Sequence, residues 1–205
     1  MSANSGAHDC SGSEAERGSV EKETQDKRVQ RTRQALLQAF FGLVLERRYD
    51  EIKIGDILER AGVGRSTFYE HFSSKDGILA SSLVGPFQVL ADATGERDNT
   101  AQLVLLLEHF WDNRAVARGI FLGAVRRKTT PVLIDLIEQL LKSDGTGKAP
   151  SLIVPARLAA IQLAEGLLAP TTAWLTGEAQ CSAETLAIAL RRTSRATLAA
   201  LGWTA

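Results

Sequence analysis

The side chains best suited to chemistry lie between Lys53 and Lys75, and the chemistry they favour is hydrogen bonding to an anionic surface. Five of them carry hydrogen-bond donors and none of the five is acidic: Arg65, Ser66, Thr67, Tyr69 and His71. Guanidinium, hydroxyl and imidazole groups of this kind bind phosphate oxygens and the edges of bases. The stretch therefore favours a surface that binds nucleic acid.

Two short helices joined by a tight turn are predicted to position these donors. The first helix is predicted from four apolar residues at helical spacing, Ile54, Ile57, Leu58 and Ala61. The pattern stops at Gly62, which suits a left-handed turn, and an apolar run begins again with Phe68 and Phe72. Val63 is expected to fill the angle between the helices. Such a pair is a helix-turn-helix, whose second helix enters the DNA major groove.

This segment resembles the DNA-binding domain of the tetracycline-repressor (TetR) family of bacterial regulators, whose pattern is I-A-x-x-A-G-V-S-x-G-T-[LF]-Y-x-H-F-x-x-K. The matching residues are Ile57, Ala61, Gly62, Val63, Thr67, Phe68, Tyr69, His71, Phe72 and Lys75. Three residues depart from the pattern: Leu58 replaces Ala, Gly64 replaces Ser and Ser66 replaces Gly. Lys53 stands where the family often has Thr and lacks an acceptor oxygen for capping the helix.

The resemblance implies an all-α protein with a three-helix DNA-binding domain followed by a larger helical domain that binds an effector and dimerises. We predict a flexible tail at residues 1–24, the DNA-binding domain at residues 25–75, and the effector-binding and dimerisation domain at residues 76–205. The residues expected to contact DNA are Arg28, Arg31, Lys53, Arg65, Ser66, Thr67, Tyr69, His71 and Lys75.

The charge distribution agrees with a DNA-binding segment, although the chain as a whole is neutral. It holds 24 basic and 24 acidic residues. Between Asp26 and Lys75, ten Lys and Arg residues stand against seven Asp and Glu residues, whereas residues 1–24 have a deficit of three positive charges. A modest local excess of positive charge suits a site-specific DNA-binding domain, because a protein that covers DNA without sequence preference would be basic throughout.

The first helix is predicted from Asp26 to Arg48, after a polar segment that has too few large apolar residues to fold. Its first two turns carry four cations, Lys27, Arg28, Arg31 and Arg33. Cations are unfavourable at the positive end of a helix, so their placement favours an external anion, for which DNA phosphate is the candidate. The alternative is a solvated basic face.

Ser74 and Asp76 are suited to the beginning of a further helix, in which Gly85 and Pro86 are predicted to mark the end; a kink in a helix that continues to Leu90 is the alternative. In the family this is the connecting helix, which relays effector binding to the DNA-binding domain. After a polar break, five more helices and no strands are predicted: 100–113, 115–125, 131–142, 155–175 and 183–201.

The last two predicted helices carry apolar faces wider than one neighbouring helix can cover. Small residues such as Gly166 would let helices approach closely. We therefore predict a homodimer with a four-helix interface, as the family resemblance also implies. A monomeric bundle is the alternative. A two-fold dimer would bind a short inverted repeat, with its recognition helices about 34–36 Å apart or a multiple of that distance.

An effector pocket is expected among the middle helices, although each candidate side chain could equally belong to an ordinary core. The candidates are Phe87, Phe110, Trp111, Phe121, Leu122 and Trp174. His109 and Glu108 could recognise a polar group of the effector or simply face solvent. The identity of the effector does not follow from these residues.

An enzyme is not predicted, because the three histidines fall in separate segments and form neither a catalytic nor a metal-binding group. The two cysteines are far apart in the sequence, which favours a cytoplasmic protein. An apolar leader and an apolar run approaching ~20 residues are both lacking, so we expect no membrane span. No cofactor is predicted. The predicted function is a ligand-responsive repressor that binds double-stranded DNA. The alternative is a helical dimerisation or scaffold protein without an effector response.

Overall fold

A computed structural model describes residues 11–142 and 152–203, and every regular element in these two ranges is helical, which confirms the all-α prediction. The elements are α1 (Ser11–Glu46), a 3-10 helix (Tyr49–Glu51), α2 (Ile54–Ala61), α3 (Arg65–His71), α4 (Lys75–Asp92), α5 (Thr100–Asp112), α6 (Arg114–Phe121), α7 (Gly123–Lys142), α8 (Ala156–Thr176) and α9 (Ala183–Ala200). We call α1–α3 the head and α5–α9 the body, and α4 joins them.

Helix α1 begins at Ser11 rather than at Asp26. Residues 11–24, predicted as part of a flexible tail, therefore have a helical backbone, whereas residues 1–10 lie outside the described part of the chain. The segment contains no proline, and its four Glu, one Ala, one Arg and one Lys are residues that favour a helix without needing burial. Arg28 and Arg31 thus lie inside α1, and the argument from a helix N-terminus was wrong.

Local chemistry explains the bounds of the helix-turn-helix. The backbone N–H of Lys53 donates to the Asp56 carboxylate at 2.8 Å, so an acid in the first turn of α2 makes one half of a capping box, although the Lys53 side chain has no acceptor for the other half. Gly62 ends α2 with φ 65° and ψ 34°, the left-handed conformation predicted for it. Val63 is partly buried against the core, between the two helices.

Helix α4 continues through Pro86 to Asp92, so the prediction that it ends at Gly85 and Pro86 was wrong. Its N-terminus agrees with the prediction, because the Ser74 hydroxyl accepts from the backbone N–H of Gly77 at 3.1 Å. Buried Leu83 and Phe87 flank the proline, and α4 packs along α7. Burial of this continuous apolar face offsets the hydrogen bond that proline cannot make.

The body consists of five helices close to the predicted positions, with one clear difference at α7. This helix begins at Gly123, eight residues before the predicted Pro131, which now lies inside it. Val125 and Thr129 in its first turns are buried and anchor the extension. Within residues 11–142 and 152–203, no helix is both long and apolar enough for a bilayer span.

Candidate nucleic-acid interface

Helix α3 has a buried aromatic side and an exposed polar side. Phe68 is fully buried and Phe72 is 4% exposed, with ring centroids 5.8 Å apart. On the opposite side Arg65 and Ser66 are exposed, and Tyr69 keeps 50% of its surface. The two rings therefore anchor a helix of only seven residues while its outer side remains open for contact.

Thr67 and His71 lie at the edges of this outer side rather than at its centre. Both residues are half-buried, and the His71 ring lies 6.4 Å from the Phe72 ring. The backbone carbonyl of His71 accepts from the Arg33 guanidinium at 3.3 Å. The predicted donors are thus brought to one helix, but Arg65, Ser66 and Tyr69 form its most accessible part.

Glu70 belongs to this outer side and was missed. It is exposed and follows Ser66 by four residues, which places both on the same face one turn apart. The five donors named from the sequence therefore do not make up the whole face, and the helical period could have revealed Glu70 beside them. A carboxylate in the major groove can accept a hydrogen bond from the amino group of cytosine.

Three further predicted contacts lie on the exposed surface of the head. Arg28 and Arg31 are exposed on α1, and Lys53 is exposed immediately before α2. Cations at such positions can bind phosphates on either side of a groove without reading base sequence.

Lys75 makes contacts within the chain. Its ammonium donates to the backbone carbonyls of Tyr49 and Ile52, at 2.8 Å each, and lies 4.2 Å from the centroid of the Tyr49 ring. Burial, as the largest cause, lowers the pKa of this amine. These contacts join the start of α4 to the segment before α2, and a contact of Lys75 with DNA stays a prediction.

Arg33 connects three helices, α1, α3 and α4, around Phe72. Besides the His71 carbonyl, its guanidinium donates to the Ser81 hydroxyl at 3.1 Å. Its central carbon lies 4.6 Å from the Phe72 ring centroid, within range of a cation–π interaction. Arg33 therefore fixes the end of α3 against α1 and α4, although it appeared to belong to the basic cluster.

A second arginine holds α2 against the end of α1. Arg60 donates to the Glu46 carboxylate through two nitrogens, at 3.0 and 2.5 Å. The hydrogen bond from Arg60 is the main reason why the pKa of Glu46 is lowered. The Arg60 guanidinium also lies beside Gly42, where an added Cβ would approach its carbon at 3.2 Å. Gly42 thus leaves room for this contact.

The six residues predicted to form an effector pocket separate into two groups. Phe121 contacts Phe87 and Phe110, with centroid distances of 6.1 and 5.2 Å, and all three rings are buried. Trp111 stacks on Trp174 at 4.8 Å. Leu122 is partly exposed beyond these groups. The six therefore do not surround a single cavity.

Phe110 and Phe121 do line a small apolar crevice of about 60 Å³, where α1, α4, α5 and α6 meet. Residues that sequence reasoning missed form most of its wall: Phe41, Leu45, Leu83, Pro86, Val116 and Ile120. His109 and Asn113 also line it and are paired with each other. In the part of the chain that is described, no group of His, Cys, Asp or Glu is placed to hold a metal ion.

Comparison with known proteins agrees with this architecture. Residues 36–81 match the model of the family described as bacterial regulatory proteins, tetR family. The uncharacterized HTH-type transcriptional regulator YxbF of Bacillus subtilis (strain 168) is 41% identical over 68 residues, which cover 32% of this chain and 18% of YxbF. The dhaKLM operon transcriptional activator DhaS of Lactococcus lactis is 26% identical over 91 residues, which cover 44% of this chain and 49% of DhaS. The chain thus spans less than half the length of these relatives.

A solved structure extends the likeness to the body. The TetR-family regulator SCO0857 from Streptomyces coelicolor A3 superposes with a TM-score of 0.56 at 20% identity, covering 83% of this chain and 96% of that one. The fold and the exposed side of α3 define a helix-turn-helix protein of the DNA-binding class. The match to the tetR family model covers the helix-turn-helix and the segments beside it, and the solved structure shows that the fold of the body is shared as well.

Proposed function

We propose that this protein is a ligand-responsive repressor that binds a short inverted repeat in double-stranded DNA as a homodimer. One observation carries the proposal: α3 is anchored by buried Phe68 and Phe72, while Ser66, Tyr69 and Glu70 face outward. A short helix with an exposed polar side can enter the major groove, where the base edges differ between base pairs.

Electrostatics supports the same docking direction. Arg65 begins α3, Lys53 precedes α2, and Arg28 and Arg31 lie on α1, all of them exposed. Contacts of these cations with phosphates would fix the head on the duplex, while the outer side of α3 supplies sequence preference. Binding should therefore weaken as salt rises, because each phosphate contact releases counterions.

The proposed dimer uses the outer faces of α8 and α9. Most of the apolar residues of these two helices, such as Leu163 and Leu186, are buried within one chain because α8 packs on both α7 and α9. A second copy is therefore not required to cover the whole apolar surface of these two helices. What supports a dimer is a smaller set of exposed apolar residues: Leu158, Ile161 and Ile188, with Gly166 and Ala169 allowing close approach.

Substitution on this face tests the dimer. Ile161→Asp should shift the protein from dimer to monomer, because a charge would have to be buried when two copies meet. Light scattering coupled to gel filtration measures the mass. Leu105→Asp is the matched control, since Leu105 is 66% exposed on α5 and should leave the dimer intact. A wild-type protein that stays monomeric at high concentration would remove the basis for an inverted repeat.

The proposed effector is a small, mainly apolar molecule that enters the crevice between α1 and α4–α6. The crevice of about 60 Å³ is much smaller than a typical ligand site of ~300–1,000 Å³, so an effector would have to displace side chains. Phe41 and Leu45, exposed by 47% and 44%, are the ones that can move into solvent. Displacing them would move α1 and change the spacing of the two heads.

Genome-wide footprinting with the purified protein tests the proposal. The expected result is a protected inverted repeat whose affinity falls with salt and whose occupancy lowers transcription. Increased transcription would replace repression by activation, which is the activity that the name of the relative DhaS records. A dimer that protects no DNA would instead support the alternative of a scaffold protein.

A further inference from the structure

An ionic cluster on the far side of the head connects it to α7 of the body. The Lys128 ammonium lies 2.9 Å from the Asp76 carboxylate, and Asp76 is in the first turn of α4. The Tyr49 hydroxyl donates to the same carboxylate oxygen. Helix α7, helix α4 and the 3-10 helix are therefore joined at one oxygen atom.

The Tyr49 ring brings a second cation into the cluster. Lys128 and Lys75 lie 5.5 and 4.2 Å from the centroid of this ring. Lys75 also binds the carbonyls of Tyr49 and Ile52, as described above. The Tyr49 hydroxyl, and to a lesser extent Lys128, lower the pKa of Asp76, so this carboxylate is ionised at neutral pH.

The position of this cluster along the chain gives it mechanical importance. Tyr49 and Ile52 lie just before α2, whereas Lys75 and Asp76 follow α3. The cluster therefore holds both the entry and the exit of the helix-turn-helix. Because Lys128 is its only member from the body, a shift of α7 would reach both ends of the DNA-binding unit at once.

We propose that Lys128 is a positioning residue for DNA recognition, which acts through Asp76 to set the angle at which α3 is presented. This inference rests on the proposed function, since it concerns how a dimer holds two heads at the spacing of its inverted repeat. Lys128 and Asp76 have side chains exposed by 44% and 49%. An ion pair this exposed adds little to stability, so its effect should appear in the geometry of binding.

The experiment compares Lys128→Met with Arg157→Met in the full-length protein. Arg157 is a matched control because it pairs with Asp135 at 2.5 Å, with side chains exposed by 46% and 58%, and lies wholly within the body. Both variants remove one positive charge. Fluorescence anisotropy would measure their affinity for the footprinted repeat, for repeats with one base pair added or removed between half-sites, and for unrelated duplex DNA.

We expect Lys128→Met to lose about five- to twentyfold in affinity for the natural spacing, within the range of typical couplings between sites. The difference between its affinity for the natural spacing and its affinity for the altered spacings should become smaller. Its affinity for unrelated DNA should equal that of Arg157→Met. Lys128→Arg should restore both properties. Asp76→Asn should reproduce the loss and add nothing when combined with Lys128→Met, because both break the same contact.

Three results would overturn the inference. Unchanged affinity and spacing preference would mean that Lys128 positions nothing. An equal loss on unrelated DNA would make Lys128 a direct phosphate contact, and an equal loss in Arg157→Met would reflect net charge. If Lys128→Met does not fold, Tyr49→Phe tests the same cluster. This variant must reduce the difference in affinity between the natural and the altered half-site spacings. A wild-type protein that protects no repeat would overturn the proposed function itself.

Discussion

The head and the body use aromatic side chains in opposite ways. In the head, Phe68 and Phe72 anchor one short helix whose other side is exposed. In the body, Phe110 and Phe121 line a crevice, and Phe121 packs on both Phe110 and Phe87 of α4. Losing one ring should therefore release the recognition helix in the head, whereas in the body it should mainly enlarge a space that already exists.

The strongest test of this contrast is Phe68→Ala. Removing a fully buried phenylalanine costs about 3–5 kcal/mol of unfolding free energy, and here the loss falls on the attachment of α3. Urea denaturation would measure the cost, and DNA binding should disappear. Phe41→Ala is the control, since Phe41 is 47% exposed and should cost far less. Similar costs for both would contradict the proposed role of Phe68 as an anchor.

The next test removes contacts from the outer side of α3 and leaves the anchor in place. Tyr69→Ala combined with His71→Ala should weaken specific DNA binding by on the order of 100-fold or more, because each good base contact contributes ~1–3 kcal/mol. Dimer mass and thermal unfolding should stay near wild type, since Tyr69 is 50% exposed. Loss of the fold would mean that these residues belong to the core.

Glu70→Gln tests whether an exposed side chain of α3 contacts a base while the buried anchor is unchanged. If the carboxylate accepts from a cytosine amino group, the variant should lose about 1–3 kcal/mol of preference for one G·C pair and gain tolerance for A·T there. Binding to unrelated DNA should strengthen, because one negative charge facing the phosphates is removed. A panel of single-base variants of the repeat measures the change. If Glu70→Gln and wild type show the same affinities across the panel, Glu70 faces solvent rather than a base.

The smallest expected effect concerns Asp76 at the junction of head and body. Its pKa is lowered in the folded protein, chiefly by the Tyr49 hydroxyl and then by Lys128. The stabilisation is therefore fully present above the unfolded pKa of ~3.9 and is lost as pH falls through the folded pKa. Between pH 7 and pH 3, wild type should lose up to about 1 kcal/mol more than Asp76→Asn, measured by urea denaturation.

The head was largely predictable because local rules determine its parts. Gly62 was expected to turn, Phe68 and Phe72 to be buried, and Ser74 to cap, and all three expectations were confirmed. The contacts of Lys75 were not predicted, because its partners, the carbonyls of Tyr49 and Ile52, are distant in sequence and only the folded chain brings them close. A motif specifies the residue type at a position, but not the direction in which a long side chain turns.

The body was predictable as helices but not as a binding site. A proline such as Pro86 tends to end a helix, yet α4 continues through it because apolar side chains on both sides of it are buried. The crevice depends on how four helices meet, and half of its wall comes from α1, which had been assigned no such role, and from α6, of which only Phe121 had been predicted to line a pocket. DNA has a fixed shape that constrains the residues of the head, whereas an unknown effector imposes no pattern that periodicity can reveal.

The Trp111–Trp174 stack has a practical consequence for studying this protein. The chain has three tryptophans, and the third is Trp203, so none lies in the head. Bound DNA should therefore not quench tryptophan emission by direct contact, provided that tryptophan is excited selectively over Tyr49 and Tyr69 of the head. A change in tryptophan emission when a duplex is added would report a rearrangement transmitted to the body, so the unlabelled protein can be used to measure communication between the two regions.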